Sequence, residues 1–352
     1  MKKSQLILSL LVLLALVALV VWGRGRIHFD FAAFRAQLAL ANWPRIALAT
    51  GCIYLGYAFR SVRWALLLRH NKKMPLLSLL GTQVIGFTAV ALIGRIADPV
   101  RPYLVARKTR LPLSNQLAVY IVERLFDAGS MALIFSSAIM LTAWFGQPGG
   151  LPHADIVRKS GYWGMALTIL GAMFLVCVRL AGSVVASIFE RAFGLVSQRL
   201  GQALGQKIRS FHAGLDTMRT FSDFAVVAAL SIGMWLLIAL AYLETMRAFT
   251  ASPELAGTTA ARSVLIMAVS GATSAFQLPI LGWFMQIGVV AAALVSFFGA
   301  SPEASTACAA TLLLVTFISI IPIGLVWARV DHVSMRKVTE QSELASEELP
   351  GA

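Results

Sequence analysis

A chain of 352 residues that is 58% hydrophobic and charged at only 13% of its positions lacks the polar surface of a soluble domain. A formal charge of +14 would point to nucleic acid in a soluble protein. Here the basic residues sit in short clusters at the ends of apolar runs, as membrane-flanking anchors do, so nucleic acid is excluded as a partner. The expected class is an all-α, polytopic membrane protein with about six full spans and two opposed re-entrant stretches.

In chain order, Lys2-Lys3 precede an apolar run, Gln5–Trp22, that resembles a signal peptide. Val20–Arg26 offers no small-x-small cleavage site, so a retained first helix with its N-terminus in the cytoplasm is expected. Further runs at 43–59, 128–145, 161–179, 224–246 and 307–328 approach or reach the roughly 20 residues that cross a bilayer as helix. Two other apolar stretches are ambiguous. Pro75–Gly94 is weakened by Gly81, Gln83, Gly86 and Gly94; Ser263–Phe298 is too long for one helix and is interrupted by Pro279 and Gly282. Each is either a kinked span or a stretch that dips in and returns. With Arg124 left out as a membrane-edge residue, the second choice gathers 21 Lys and Arg on the cytoplasmic side, where Ala97–Leu111 is then expected, against 8 on the other, which the positive-inside rule favours. Opposed re-entrant elements are what an inverted repeat would give. Residues 181–223 alternate basic and apolar positions and suit one or two helices on the cytoplasmic lipid surface. The single membrane domain is expected over 1–338, with an acidic disordered tail over 339–352.

Charge inside apolar territory costs about 2.5–3.5 kcal/mol per residue on insertion scales, so it marks a site. Four groups stand out. Arg60 and Arg63 share a helix face beside Trp64, as interfacial anchors or as a phosphate fork. Asp98 and Arg101, with Arg95 upstream and Pro99 and Pro102 between and beside them, lie on the exit from the first ambiguous stretch. They are a local cap, or a headgroup clamp formed by the two arginines and oriented by Asp98. Glu123 and Asp127 are four apart next to Arg124; sharing a face, they need a cation from Arg95, Arg101 or a substrate. Gln277, Pro279, Gly282 and Gln286 form a breakable, hydrogen-bonding segment in the second stretch.

Enzyme signatures are missing: there is no H-E-x-x-H, no Gly-rich phosphate loop before Lys and no nucleophile elbow. Cys52, Cys177 and Cys308 are widely spaced, which indicates neither a disulfide framework nor zinc. The expectation is a non-enzyme with no cofactor and no metal, although one buried acid pair would suffice for acid–base chemistry.

Arg60-x-x-Arg-Trp-x-x-Leu-Leu68, Ile85-Gly-Phe-Thr88, Gly94-Arg-x-x-Asp-Pro-x-Arg-Pro-Tyr-Leu104 and Val122-Glu-Arg-Leu-Phe-Asp127 together resemble the flippase-like membrane region of the lysylphosphatidylglycerol synthase family, over about residues 5–330. The resemblance implies translocation of modified lipids between leaflets. Ala97-Asp98 stands where the family usually has Gly-Glu, and Leu281-Gly282-Trp283 where it has Pro and several glycines. The aminoacyl-transferase domain of the full-length synthases is not expected here, so synthesis of aminoacyl lipids is not either. The resulting expectation is a flippase-like protein of the bacterial inner membrane with both termini cytoplasmic. Its partners would be an anionic phospholipid or polyprenyl lipid and a lipid-modifying enzyme. The alternative is an integral-membrane enzyme or accessory subunit in lipid or lipid-linked glycan synthesis.

Overall fold

The computed structural model describes residues 29–69, 72–145, 154–195, 197–215, 220–274 and 281–334, and among them all regular structure is helical. The run at 5–22 and the acidic tail lie outside the described residues. Several helices begin on side chains chosen to satisfy their first amides. Asp30 accepts from Ala32 and Ala33 at the start of α1 (Phe31–Ala39), and Asn42 accepts from Arg45 at the start of α2 (Trp43–Leu68). Thr220 and Asp223 form a reciprocal capping box ahead of α8 (Phe221–Arg247). Ser301 caps α12 (Pro302–Leu313), which continues through a π-helical turn at Leu314–Ile318 into α13 (Ile320–Val330).

Contacts between helix ends define two poles. At the first, the Asn42 amide donates to Ala248 O at 2.8 Å, Arg247 Nε to Thr258 O at 2.9 Å and the Asp30 amide to Glu303 at 3.2 Å. At the second, Arg69 pairs with Asp223, Lys72 Nζ donates to Thr109 O at 2.9 Å and Lys108 pairs with Asp331 at 2.6 Å. Helices α2, α8 and α12–α13 therefore run from pole to pole. Helix α5 (Leu113–Phe145) starts at the second pole, and its 33 residues rise about 50 Å. The polarity is inside-out. Leu55, Ile121, Leu236 and Val326 are exposed on these helices, while Arg63, Arg101 and Glu123 are sealed inside. A lipid-facing exterior accounts for both facts.

Two helical hairpins enter from opposite poles. Helix α3 (Leu76–Ile93) leaves the second pole, the chain turns at Gly94–Pro99, and α4 (Val100–Thr109) returns to it. The return is antiparallel: Arg101 lies against Gly86, and Lys108 Nζ reaches Ser78 O at 3.4 Å. Gly94, at φ 91°, makes the turn in a conformation that side-chain-bearing residues avoid. From the first pole, past the four-residue α9 (Pro253–Ala256), α10 (Ala260–Ser274) enters and α11 (Leu281–Phe298) returns. Gln286 Nε2 donates to Ser270 Oγ at 2.8 Å, and Arg262 sits over the Phe298 ring at 5.2 Å. The expected dip at Pro75–Gly94 is thus half of a longer hairpin. Ala97–Leu111, expected in the cytoplasm, is mostly its buried return limb, because the charges of that limb are met by protein instead of water.

The other charged runs extend helices in the same way. The expected span 43–59 continues to Leu68 through Arg60 and Arg63, and the span expected at 128 begins at Leu113. Over 181–223, the end of α6 (Ala154–Gly194), bent at Ala181, lies against α7 (Gln198–Leu215), with Arg209 paired to Glu190.

Candidate functional site

Helices α2 and α5 cross so that two arginines on one meet two carboxylates on the other. Arg60 and Arg63 are three apart and Glu123 and Asp127 four apart, so each pair occupies one helix face. Arg63 is bidentate, with Nη2 to Glu123 at 2.6 Å and Nη1 to Asp127 at 2.7 Å. Arg60 Nη1 bridges the same carboxylates at 3.3 and 3.1 Å. Arg124 approaches Asp127 at 3.1 Å and Glu123 at 3.6 Å. The cation required between Glu123 and Asp127 is therefore supplied mainly by Arg60 and Arg63. Arg101 joins from the hairpin at 3.3 Å from Glu123, while Arg95 does not reach them.

Arg101 is completely buried and stacked between Phe87 (4.5 Å) and Tyr120 (5.0 Å), with Nη1 donating to Gln83 Oε1 at 3.2 Å. A methyl group at Gly86 would overlap the Arg101 side chain, so that glycine is the space through which the arginine passes. At the turn, Arg95 lies 3.5 Å from Asp98, and Asp98 lies 4.0 Å from Arg101. Arg95 also reaches across to the opposite hairpin, with Nε to Ser274 O at 3.0 Å and Nη2 to Ser274 Oγ at 2.9 Å. Trp283 Nε1 returns a bond to Ala91 O at 3.1 Å. The two tips are thereby tied together.

Beside this junction lies a cavity of about 170 Å³ that opens to the outside. Arg60, Arg95, Arg124 and Asp98 line one part, and Trp235, Tyr242, Ser270 and Ser274 another. Apolar side chains of Ile53, Phe87, Met267 and Phe317 complete the lining, and Arg95 bridges the two parts through Ser274. The cavity sits between two hydrophobic cores, one around Met246, Phe249 and Leu294 near the first pole, the other around Trp64, Leu68 and Val105 near the second.

The sequence candidates divide accordingly. Arg60, Arg63, Arg101, Glu123, Arg124 and Asp127 form one cluster, with Arg95 and Asp98 at its edge. Trp64 belongs to the second core and donates to Gln116 Oε1 at 3.4 Å. Gln286 braces α10 through Ser270, and Gly282 is buried near the start of α11. Gln277 and Pro279 lie outside the described residues. Trp235, Tyr242, Ser270 and Ser274 were missed, although seven- and four-residue spacings put each pair on one helix face. No group of three or more metal-ligating side chains occurs among the described residues.

An inside-out helical fold, with a charged cavity between opposed hairpins, defines a polytopic membrane protein built around a buried polar site. The family model described as the lysylphosphatidylglycerol synthase TM region matches residues 6–325, and the chain belongs to that family. No curated protein and no solved structure matches it.

Proposed function

We propose that the protein translocates a phospholipid or polyprenyl-linked lipid between the leaflets of the bacterial inner membrane, without altering it chemically. The observation that carries this reading is the cation-lined cavity at the junction of the two hairpins. Non-helical backbone at depth is tolerated where it is buried or lines a cavity, and sites between opposed repeats are reached alternately from either side. The tip contacts Arg95–Ser274 and Trp283–Ala91 are few and polar, and their rupture would open a path between the hairpins. Both termini lie in the cytoplasm in this scheme, and membrane lipid is the partner that matters.

The test is reconstitution of the purified chain in liposomes carrying a fluorescent phospholipid in one leaflet. Protein-dependent exposure of the label in the other leaflet, with the lipid recovered intact, is expected. Chemical conversion of the lipid without transfer would replace this reading by membrane-enzyme chemistry.

A further inference from the structure

The charge count around the site does not balance. Four arginines, Arg60, Arg63, Arg101 and Arg124, surround two carboxylates, Glu123 and Asp127, while Arg95 and Asp98 offset one another. Arginine does not give up its proton in proteins, so the surplus of two positive charges is permanent. An uncompensated charge away from water is among the costliest arrangements a fold can hold.

The hydrogen-bond inventory leans the same way. Arg63 Nε, Arg101 Nε and Nη2, and Arg124 Nε are buried nitrogens without a hydrogen-bond acceptor; Arg63 and Arg101, at most 1% exposed, lie outside the cavity lining, whereas Arg60, Arg95 and Arg124 face it. Trp235, which also lines the cavity, has its Nε1 as a buried donor in the same condition. Among the described residues, the one carboxylate lining the cavity, Asp98, is already engaged by Arg95 and Arg101. A ligand here meets donors and positive charge, and an ammonium group finds no free acid.

We propose that the headgroup this site takes is a doubly charged phosphate, a phosphomonoester or diphosphate carried on a lipid, and that amine-bearing headgroups are selected against. The proposal rests on the reading of the cavity as a lipid site and names the substrate class for it. Two negative charges neutralise the surplus, and three or more terminal oxygens accept from several arginines at once. A phosphodiester supplies one charge. A zwitterionic headgroup supplies no net charge, and an aminoacylated one brings cations into a cationic site.

The experiment measures binding of the delipidated full-length protein to phosphatidic acid, phosphatidylglycerol, phosphatidylethanolamine and lysylphosphatidylglycerol in an uncharged detergent. Phosphatidic acid is expected to bind about tenfold more tightly than phosphatidylglycerol, with the two amine lipids weaker again. Arg124→Gln should abolish the preference, Arg124→Lys should retain much of it, and Asp98→Asn should strengthen phosphatidic acid binding several-fold. Equal binding of lysylphosphatidylglycerol and phosphatidic acid would overturn the proposal. So would competition by inorganic diphosphate alone with no ranking among the lipids, since the anion would then belong to a soluble compound. Selective binding of phosphatidic acid without movement between leaflets would uphold the charge assignment and remove translocation. Movement of every headgroup at one rate would do the opposite.

Discussion

At the scale of single residues, each acid of the cluster is held by several arginines, so the consequence of neutralising one is predictable in sign. Glu123 touches Arg60, Arg63, Arg101 and Arg124 at 2.6–3.6 Å. Glu123→Gln keeps the shape but leaves four arginines facing one carboxylate. Breaking a buried pair by removing one partner costs about 3–5 kcal/mol, less where a wet cavity screens it. The expected result is a lower unfolding temperature in detergent, partly restored by added phosphatidic acid; an unchanged temperature would show that the arginines are not held by charge. Steric rather than electrostatic loss is expected at Gly86. In Gly86→Ala the new methyl meets Arg101 and displaces it from between Phe87 and Tyr120, and overpacking of this kind costs roughly 1–3 kcal/mol. Arg101→Lys removes the planar stack without the clash. It should insert normally, with reduced thermal stability and reduced lipid transfer; full stability with lysine would argue that the aromatic sandwich contributes nothing.

At the scale of elements, much was legible because lipid is the solvent on the outside. Val, Leu and Ile facing hydrocarbon made the runs at 224–246 and 307–328 plain, and α8 and α12–α13 follow them closely. Hydropathy failed where protein, rather than water, receives the charge. Arg60, Arg63, Glu123 and Asp127 cut short the apparent spans of α2 and α5, and the return limb Val100–Thr109 read as loop for the same reason. Of the site itself, the arginines and acids were visible as expensive residues. Ser270, Ser274, Trp235 and Tyr242 were not, since such side chains are ordinary in membrane helices and gain meaning only when the second hairpin meets the first. The hairpin makes a direct prediction. Ten residues of α4 rise about 15 Å, too short to cross a bilayer. Single cysteines placed at the exposed Lys73 and Arg110 should therefore label from the same face of the membrane, and one at the exposed Ala251 from the opposite face. Labelling of 73 and 110 from different faces would turn α3 into a plain crossing helix and undo the hairpin.

At the scale of the whole molecule, the two poles differ in charge, and that difference predicts an orientation. Arg69, Lys72, Lys73, Arg107, Lys108, Arg110, Arg191, Arg199 and Arg329 lie at or beyond the second-pole ends of their helices. Among the described residues, the first pole has Arg35, Arg45, Arg247 and Arg262, with Arg158 and Lys159 at the start of α6, and Arg45 is paired with Glu244 at 2.6 Å. Basic residues near helix ends are retained in the cytoplasm, where anionic headgroups and the insertion machinery favour them, so the second pole should face inward. The hairpin that carries Arg95, Asp98 and Arg101 then enters from the cytoplasm, and the one that carries Ser270 and Ser274 enters from outside. Fusions truncated after Asp331 should give a fluorescent cytoplasmic reporter, and fusions after Ser252 an active periplasmic phosphatase. Replacing Lys72, Lys73, Lys108 and Arg110 together by Gln removes a large share of the bias while leaving the buried cluster intact. Lys108 also loses its bond to Asp331, so some stability goes with it. A mixed population in the two reporters is the expected outcome for that variant. Unmixed orientation would mean that the direction of insertion is set by charges elsewhere, such as the basic segment between α6 and α8.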